Sequence, residues 1–124
     1  MFILKVDGEF CAAHRLPNYE GHCSRLHGHT WKVTAAFKAT EVDERTGIAF
    51  DFAIAKQMLR GLLQQLDHRN LNGIFANPTA ELIAQRLYTK LRVGLQMRKQ
   101  LGPVTVHSVT VWESSRARVT YSEE

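Results

Sequence analysis

Between Thr30 and Thr40 the residues Trp31, Val33, Ala35 and Phe37 alternate with Thr30, Lys32, Thr34 and Ala36. Side chains of an extended chain point to opposite faces in turn, so this run predicts a β-strand with one face in the core. The residues just before it sharpen the constraint. His27 and His29 have the parity of Trp31 and Val33, so a continuous strand carries both imidazoles on the apolar face. Gly28 between them must be small or face away.

Two imidazoles on one face can share a metal ion, and imidazole nitrogen suits zinc. A catalytic zinc keeps three protein ligands and leaves the fourth position for water or substrate, so a third ligand is needed. His14 meets that need. It sits among small residues, Cys11-Ala12-Ala13-His14-Arg15, and lies with His27 and His29 within a stretch of sixteen residues. Cys23, four residues before His27, has three readings. It is a fourth ligand that closes the shell, an inert thiol, or a group that moves protons. In a polar loop beside a cation the thiol pKa falls, which suits the last.

A chain of 124 residues is long enough to bury a core without disulfides or a structural metal, and one domain over 1–124 is expected. Its two cysteines are expected to remain thiols. No apolar run approaches the roughly 20 residues of a membrane-spanning helix. Charge at Lys5 and Asp7 interrupts the N-terminal run too early for a secretory signal, so a cytoplasmic location without membrane partners is expected. The net charge of +4 favours an anionic partner. The cations are scattered and not interleaved with aromatics, which argues against a nucleic-acid groove.

Taken in order, Phe2, Leu4 and Val6 give a first strand over Phe2–Phe10 that leads into His14. Arg15 to Arg25 contains Pro17, Asn18, Gly21 and Ser24 and reads as a loop returning Cys23 to the histidine pair. Asp43 to Gly47 is a turn, after which Ile48-Ala49-Phe50 is expected to pair back as a hairpin. Asp51 caps a helix whose stripe is Ala55, Met58, Leu59, Leu62, Leu63 and Leu66, ending near Asp67. Asn77 caps a second helix, with Pro78 at its first position, a core stripe of Ala80, Ile83, Ala84, Leu87, Leu91 and Leu95, and an end near Gly102. Val104 to Glu113 alternates as a strand, and Arg116 to Tyr121 is one more. Strands, two helices, then strands make one α+β unit.

Other chemical groups lie at element ends. Asp67-His68 pairs a carboxylate with an imidazole whose tautomer it can fix, although sequence neighbours rarely face each other. Glu113, at a strand end, can hold the amino and amide edge of a heterocycle by two hydrogen bonds. Cys11 reads as a small buried residue, and His22 and His107 as surface or core histidines.

Five blocks of the chain together resemble the 6-pyruvoyl tetrahydropterin synthase family: Phe10-Cys11-Ala12-Ala13-His14-Arg15-Leu16, Cys23-Ser24-Arg25-Leu26-His27-Gly28-His29, Leu66-Asp67-His68-Arg69-Asn70-Leu71-Asn72, Asn77-Pro78-Thr79-Ala80-Glu81 and Val111-Trp112-Glu113-Ser114. They stand in the family's order and span nearly the whole chain, and the pattern is most similar to the bacterial 6-carboxy-tetrahydropterin synthase branch of queuosine biosynthesis. The resemblance implies a tunnelling fold (T-fold) of a four-stranded antiparallel sheet with two helices on one face. It also implies trimers or hexamers with active sites between subunits. It implies Zn2+ on His14, His27 and His29, Cys23 as general base, Asp67 and His68 as a relay from a neighbouring subunit, and Glu113 as anchor of the pterin ring. The implied reaction converts 7,8-dihydroneopterin triphosphate into 6-carboxy-5,6,7,8-tetrahydropterin with release of acetaldehyde and triphosphate. The same motifs serve the pyruvoyl synthase, which keeps the side chain. A non-catalytic zinc-binding or nucleic-acid-binding module on the same fold is the alternative of another class. The chain departs from the family pattern at His22, where Lys is frequent, and at Cys11, where Ser, Asp or Glu is.

Overall fold

The computed structural model describes residues 1–98 and 102–123. Its order is β1 (Phe2–His14), β2 (His27–Ala39), α1 (Phe52–Leu63), β3 (Arg69–Asn70), α2 (Ala80–Gln96), β4 (Val104–Trp112) and β5 (Arg118–Tyr121). Short 3-10 turns occupy His22–Ser24 and Leu71–Gly73. The strands form one sheet in the order β3-β1-β2-β4-β5, antiparallel except where β3 pairs parallel with Ala12 and Ala13 of β1. The α+β architecture agrees with the sequence, but the sheet has five strands and not four. The additional strand is only two residues long, too short for periodicity to register.

Both helices cover one face of the sheet. Val6, Phe10 and Ala12 of β1 and Trp31, Val33, Ala35 and Phe37 of β2 are buried beneath Leu59 and Leu63 of α1 and Ile83, Leu87 and Leu91 of α2. Burial of this kind contributes about 25 cal/mol for each Å² of apolar surface removed from water and is the main stabilising effect here. At Gly8 the approach of α1 is close: a Cβ there would stand 2.8 Å from Leu63 Cδ1, so the absence of a side chain sets the layer spacing. On β4 the register slips by one residue between the pairs Ala36/Ser108 and Phe37/Val106, leaving His107 as the additional residue. This bulge moves the buried parity from Val104 and Val106 to Val109 and Val111. Glu113 has the parity of that second set.

Several local expectations are corrected. Ile48-Ala49-Phe50 forms no strand; Asp43 gathers the amides of Arg45 and Thr46 on Oδ1, and its own amide donates to the Ile48 carbonyl, closing a compact loop without a ladder. Asp51 does cap α1, accepting from the Ala53 amide. On α2 the cap is Thr79, whose hydroxyl accepts from Leu82 N at 3.2 Å, so the helix begins two residues after Pro78. The described helix stops at Gln96 rather than near Gly102, and residues 99–101 lie outside the described set. Cys11 is exposed on the face away from the helices, with Sγ 3.6 Å from Thr30 Oγ1. Among the described residues, no helix is long and apolar enough to cross a membrane.

Candidate metal centre

The end of the β1–β2 ladder builds the site. Ala12 pairs with His29 and His14 with His27, so antiparallel register alone sets three imidazoles of equal parity on two neighbouring strands. The loop joining the strands is closed by Leu16 N donating to the Cys23 carbonyl at 2.8 Å. Trp31 forms the floor: its ring meets those of His14 and His29 edge to face at 4.8 and 5.0 Å, and its Nε1 donates to the Ala12 carbonyl. His14 is fully buried, while His27 and His29 are partly open.

Carbonyls fix the tautomers. His14 Nδ1 lies 2.7 Å from the Pro78 carbonyl and His27 Nδ1 lies 2.6 Å from the Arg25 carbonyl. A carbonyl only accepts, so both Nδ1 atoms carry the proton and both Nε2 atoms present lone pairs. Those two Nε2 atoms face each other at 3.1 Å. Neutral rings so fixed have no proton to place between them, and the arrangement is repulsive unless a cation is shared. Two nitrogens on a tetrahedral zinc, at bond lengths near 2.0–2.1 Å, stand about 3.3 Å apart, which matches.

His29 Nε2 is buried and makes no hydrogen bond, with Glu113 Oε1 at 3.3 Å; the same oxygen is 3.9 Å from His14 Nε2. Ligand atoms of His14, His27, His29 and Glu113 all lie within 4.8 Å of one another, so the cluster can hold a metal ion. Burial holds the His29 pKa below 6.5; the Glu113 carboxylate opposes this, and His14 and His27 reinforce it. A lowered pKa keeps His29 in the neutral form that ligates.

Glu113 enters the cluster because of the bulge and because the turn after β4 is closed, its amide donating to the Ala117 carbonyl at 3.1 Å. Sequence reading separated this carboxylate from the ligands; a bulge leaves no periodic signal by which its face could be assigned. The Pro78 and Arg25 carbonyls were also missed, being backbone atoms available at any residue.

Cys23 and the Asp67-His68 pair stand outside this four-residue cluster. Cys23 lies partly buried in the His22–Ser24 turn and is a free thiol. Asp67 and His68 do face each other, with Oδ2 at 2.9 Å from His68 Nδ1. His68 has a left-handed backbone, φ 57°, the one positive φ outside glycine among the described residues. Asp67 Oδ1 accepts from Cys11 N at 2.8 Å and His68 N donates to the Cys11 carbonyl, so the pair is fastened to the outer edge of β1. Cys11 precedes His14 by three residues, roughly 10 Å along a strand, and the His68 ring is largely exposed.

An antiparallel sheet covered on one face by two helices, with three imidazoles and a carboxylate at one end of its central ladder, defines a T-fold protein with a candidate metal centre. The sequence pattern of 6-pyruvoyl tetrahydropterin synthases matches residues 3–124, and the chain belongs to that family of pterin-processing enzymes. A 6-carboxy-5,6,7,8-tetrahydropterin synthase of Synechocystis is 34% identical over 127 residues, covering 98% of this chain and 93% of its own. A dihydroneopterin monophosphate aldolase of Pyrococcus furiosus is 34% identical over 106 residues, covering 86% of this chain and 84% of its own. In three dimensions the chain superposes on the 6-pyruvoyl tetrahydropterin synthase of Caenorhabditis elegans with a TM-score of 0.84, covering 99% of this chain and 96% of the other at 24% identity, a likeness of fold.

Proposed function

We propose that residues 1–124 act as a single zinc-dependent lyase domain that converts 7,8-dihydroneopterin triphosphate and water into 6-carboxy-5,6,7,8-tetrahydropterin, acetaldehyde and triphosphate. The setting is cytoplasmic queuosine biosynthesis, with no nucleic-acid or membrane partner. The observation that carries the reading is the pair of carbonyl-fixed imidazoles whose Nε2 lone pairs converge at 3.1 Å. The name of the Synechocystis relative supports the reaction.

His14, His27 and His29 would hold the ion. A bound Zn2+ supplies Lewis acidity toward the hydroxyls of the substrate side chain. Glu113 grips the amino and amide edge of the pterin by two charge-assisted hydrogen bonds and so holds the reacting carbons against the site. Cys23 serves as the general base. His68, its Nδ1 proton held by Asp67, offers Nε2 for proton transfer in a site completed by a neighbouring subunit. The exposed His68 ring on an outer strand edge favours that arrangement.

The test is to measure zinc in purified protein and to analyse the products from dihydroneopterin triphosphate. Zinc near one ion per chain with acetaldehyde and triphosphate supports the proposal. Triphosphate with a pyruvoyl product and no acetaldehyde selects the pyruvoyl synthase. The equal identity of the Pyrococcus relative gives weight to a second reading, an aldolase. Side-chain cleavage of a monophosphate substrate with the phosphate still on its carbon would select it. A non-catalytic module would turn over neither.

A further inference from the structure

We propose that Asn72 is a positioning residue for His14: its side-chain amide locks the end of β1 so that the His14 ring keeps Nδ1 on the Pro78 carbonyl and Nε2 on the metal side. The metal half of this statement rests on the zinc reading above.

Among the described residues, β1 is flanked on its outer side only by β3, whose pairing covers Ala12 and Ala13 and stops. The next backbone groups, those of Arg15, would be left open beside a buried ligand. Asn72 takes over where the strand ends. Its Oδ1 accepts from Arg15 N at 2.8 Å and its Nδ2 donates to the Arg15 carbonyl at 2.9 Å, so one planar amide stands in for a strand residue. Only a side chain with an acceptor and a donor on one plane can make both bonds. Asn72 is itself anchored, because its amide donates to Asn70 Oδ1 at 3.0 Å and the adjacent Leu71 is fully buried.

The Arg15 amide belongs to the peptide that begins at the His14 carbonyl, so the bracket fixes the backbone on the C-terminal side of the ligand. Antiparallel pairing with His27 fixes it laterally. With its Cα held, the His14 ring has two torsions left, and the Pro78 carbonyl at 2.7 Å removes that freedom by taking the Nδ1 proton. Pro78 is fully buried and immediately precedes the Thr79 cap of α2, so its carbonyl is a fixed reference point. Partners that orient a metal ligand are each worth 10- to 100-fold in metal affinity.

Zinc affinity is measured by competition with a chromophoric chelator in the full chain, for wild type, Asn72→Ala and Asn72→Asp. Asp51→Ala, which removes the cap of α1 away from the site, controls for loss of stability alone. The His14 tautomer is read in parallel from long-range 1H–15N spectra of the metal-free proteins. The expected result is zinc binding weaker by about tenfold or more in both Asn72 variants, unchanged in Asp51→Ala despite a lower melting temperature. The Nδ1–H form of His14 should be single in wild type and mixed with the other tautomer in the variants. Asn72→Asp keeps the acceptor for Arg15 N, so it reports even where the alanine variant folds poorly. Asn72 variants with zinc affinity within twofold of wild type and an unchanged tautomer overturn the proposal. A wild-type protein that binds no zinc overturns the metal reading instead, and the tautomer comparison then decides the role of Asn72.

Discussion

Glu113 lies 3.3 Å from His29, so one carboxylate is within reach of the metal position and of any ring seated beside it. Glu113→Gln separates the two roles. As a ring anchor, its loss should leave zinc content unchanged and raise KM for the pterin about 10- to 100-fold, the effect of losing a hydrogen bond to a charged group; loss of zinc from the variant would make it a ligand. For Cys23→Ser the expected outcome is full zinc occupancy with kcat lower by about 10²–10⁴-fold, the range of general acid–base catalysis. Unchanged turnover would remove the thiol from the chemistry. Gly28 shows how far a residue type can be read from the chain alone. Small size and an outward direction both satisfy the sequence; the backbone chooses direction, because a Cβ there meets nothing within 4 Å.

Short segments that carry functional groups are held by single side chains, and they were the least legible part. The pattern around Asn77 and Pro78 resembles a cap and a first helical residue, yet Thr79 takes the cap and leaves the Pro78 carbonyl for His14. Propensity contains no term for a distant ring that needs an acceptor. Thr79→Ala should lower stability by about 1 kcal/mol, read by thermal unfolding. The Asp67 bracket makes a prediction with a sign. The Cys11 amide, and after it the His68 ring, hold the Asp67 carboxyl below its ordinary 3.8, against partial desolvation. A depressed carboxyl contributes stability that is complete above 3.8 and is lost as pH falls through the lower folded value. Melting temperature should therefore drop more steeply below about pH 4 in wild type than in Asp67→Asn, where this linkage is absent; parallel curves would show that the bracket contributes nothing to folding.

At the scale of the whole molecule, the end of β1 remote from the imidazoles carries exposed Met1, Phe2 and Ile3 beside Val42, Ile48 and Phe52, around a cavity of about 560 Å³. Among the described residues, the ladder along the outer side of β1 covers only Ala12 and Ala13. The resemblance to the family implies trimers or hexamers, and an apolar patch beside an open strand edge is where a second copy of this chain is expected to dock. Light scattering should find an assembly in wild type and a smaller particle for Phe2→Asp with Ile3→Lys; a monomeric wild type would remove the inter-subunit role of His68. The amino-acid sequence by itself determined the apolar face of β2, the equal parity of His27 and His29 and the core stripes of both helices, because those follow from periods of 2 and 3.6 residues within one element. Tertiary structure decided what crosses between elements: the register that sets His14 opposite His27, the bulge that turns Glu113 toward them, and the Asn72 and Pro78 groups that hold the ring. Local periodicity names the face a side chain takes, whereas the atom it meets there depends on pairing between segments distant in the chain.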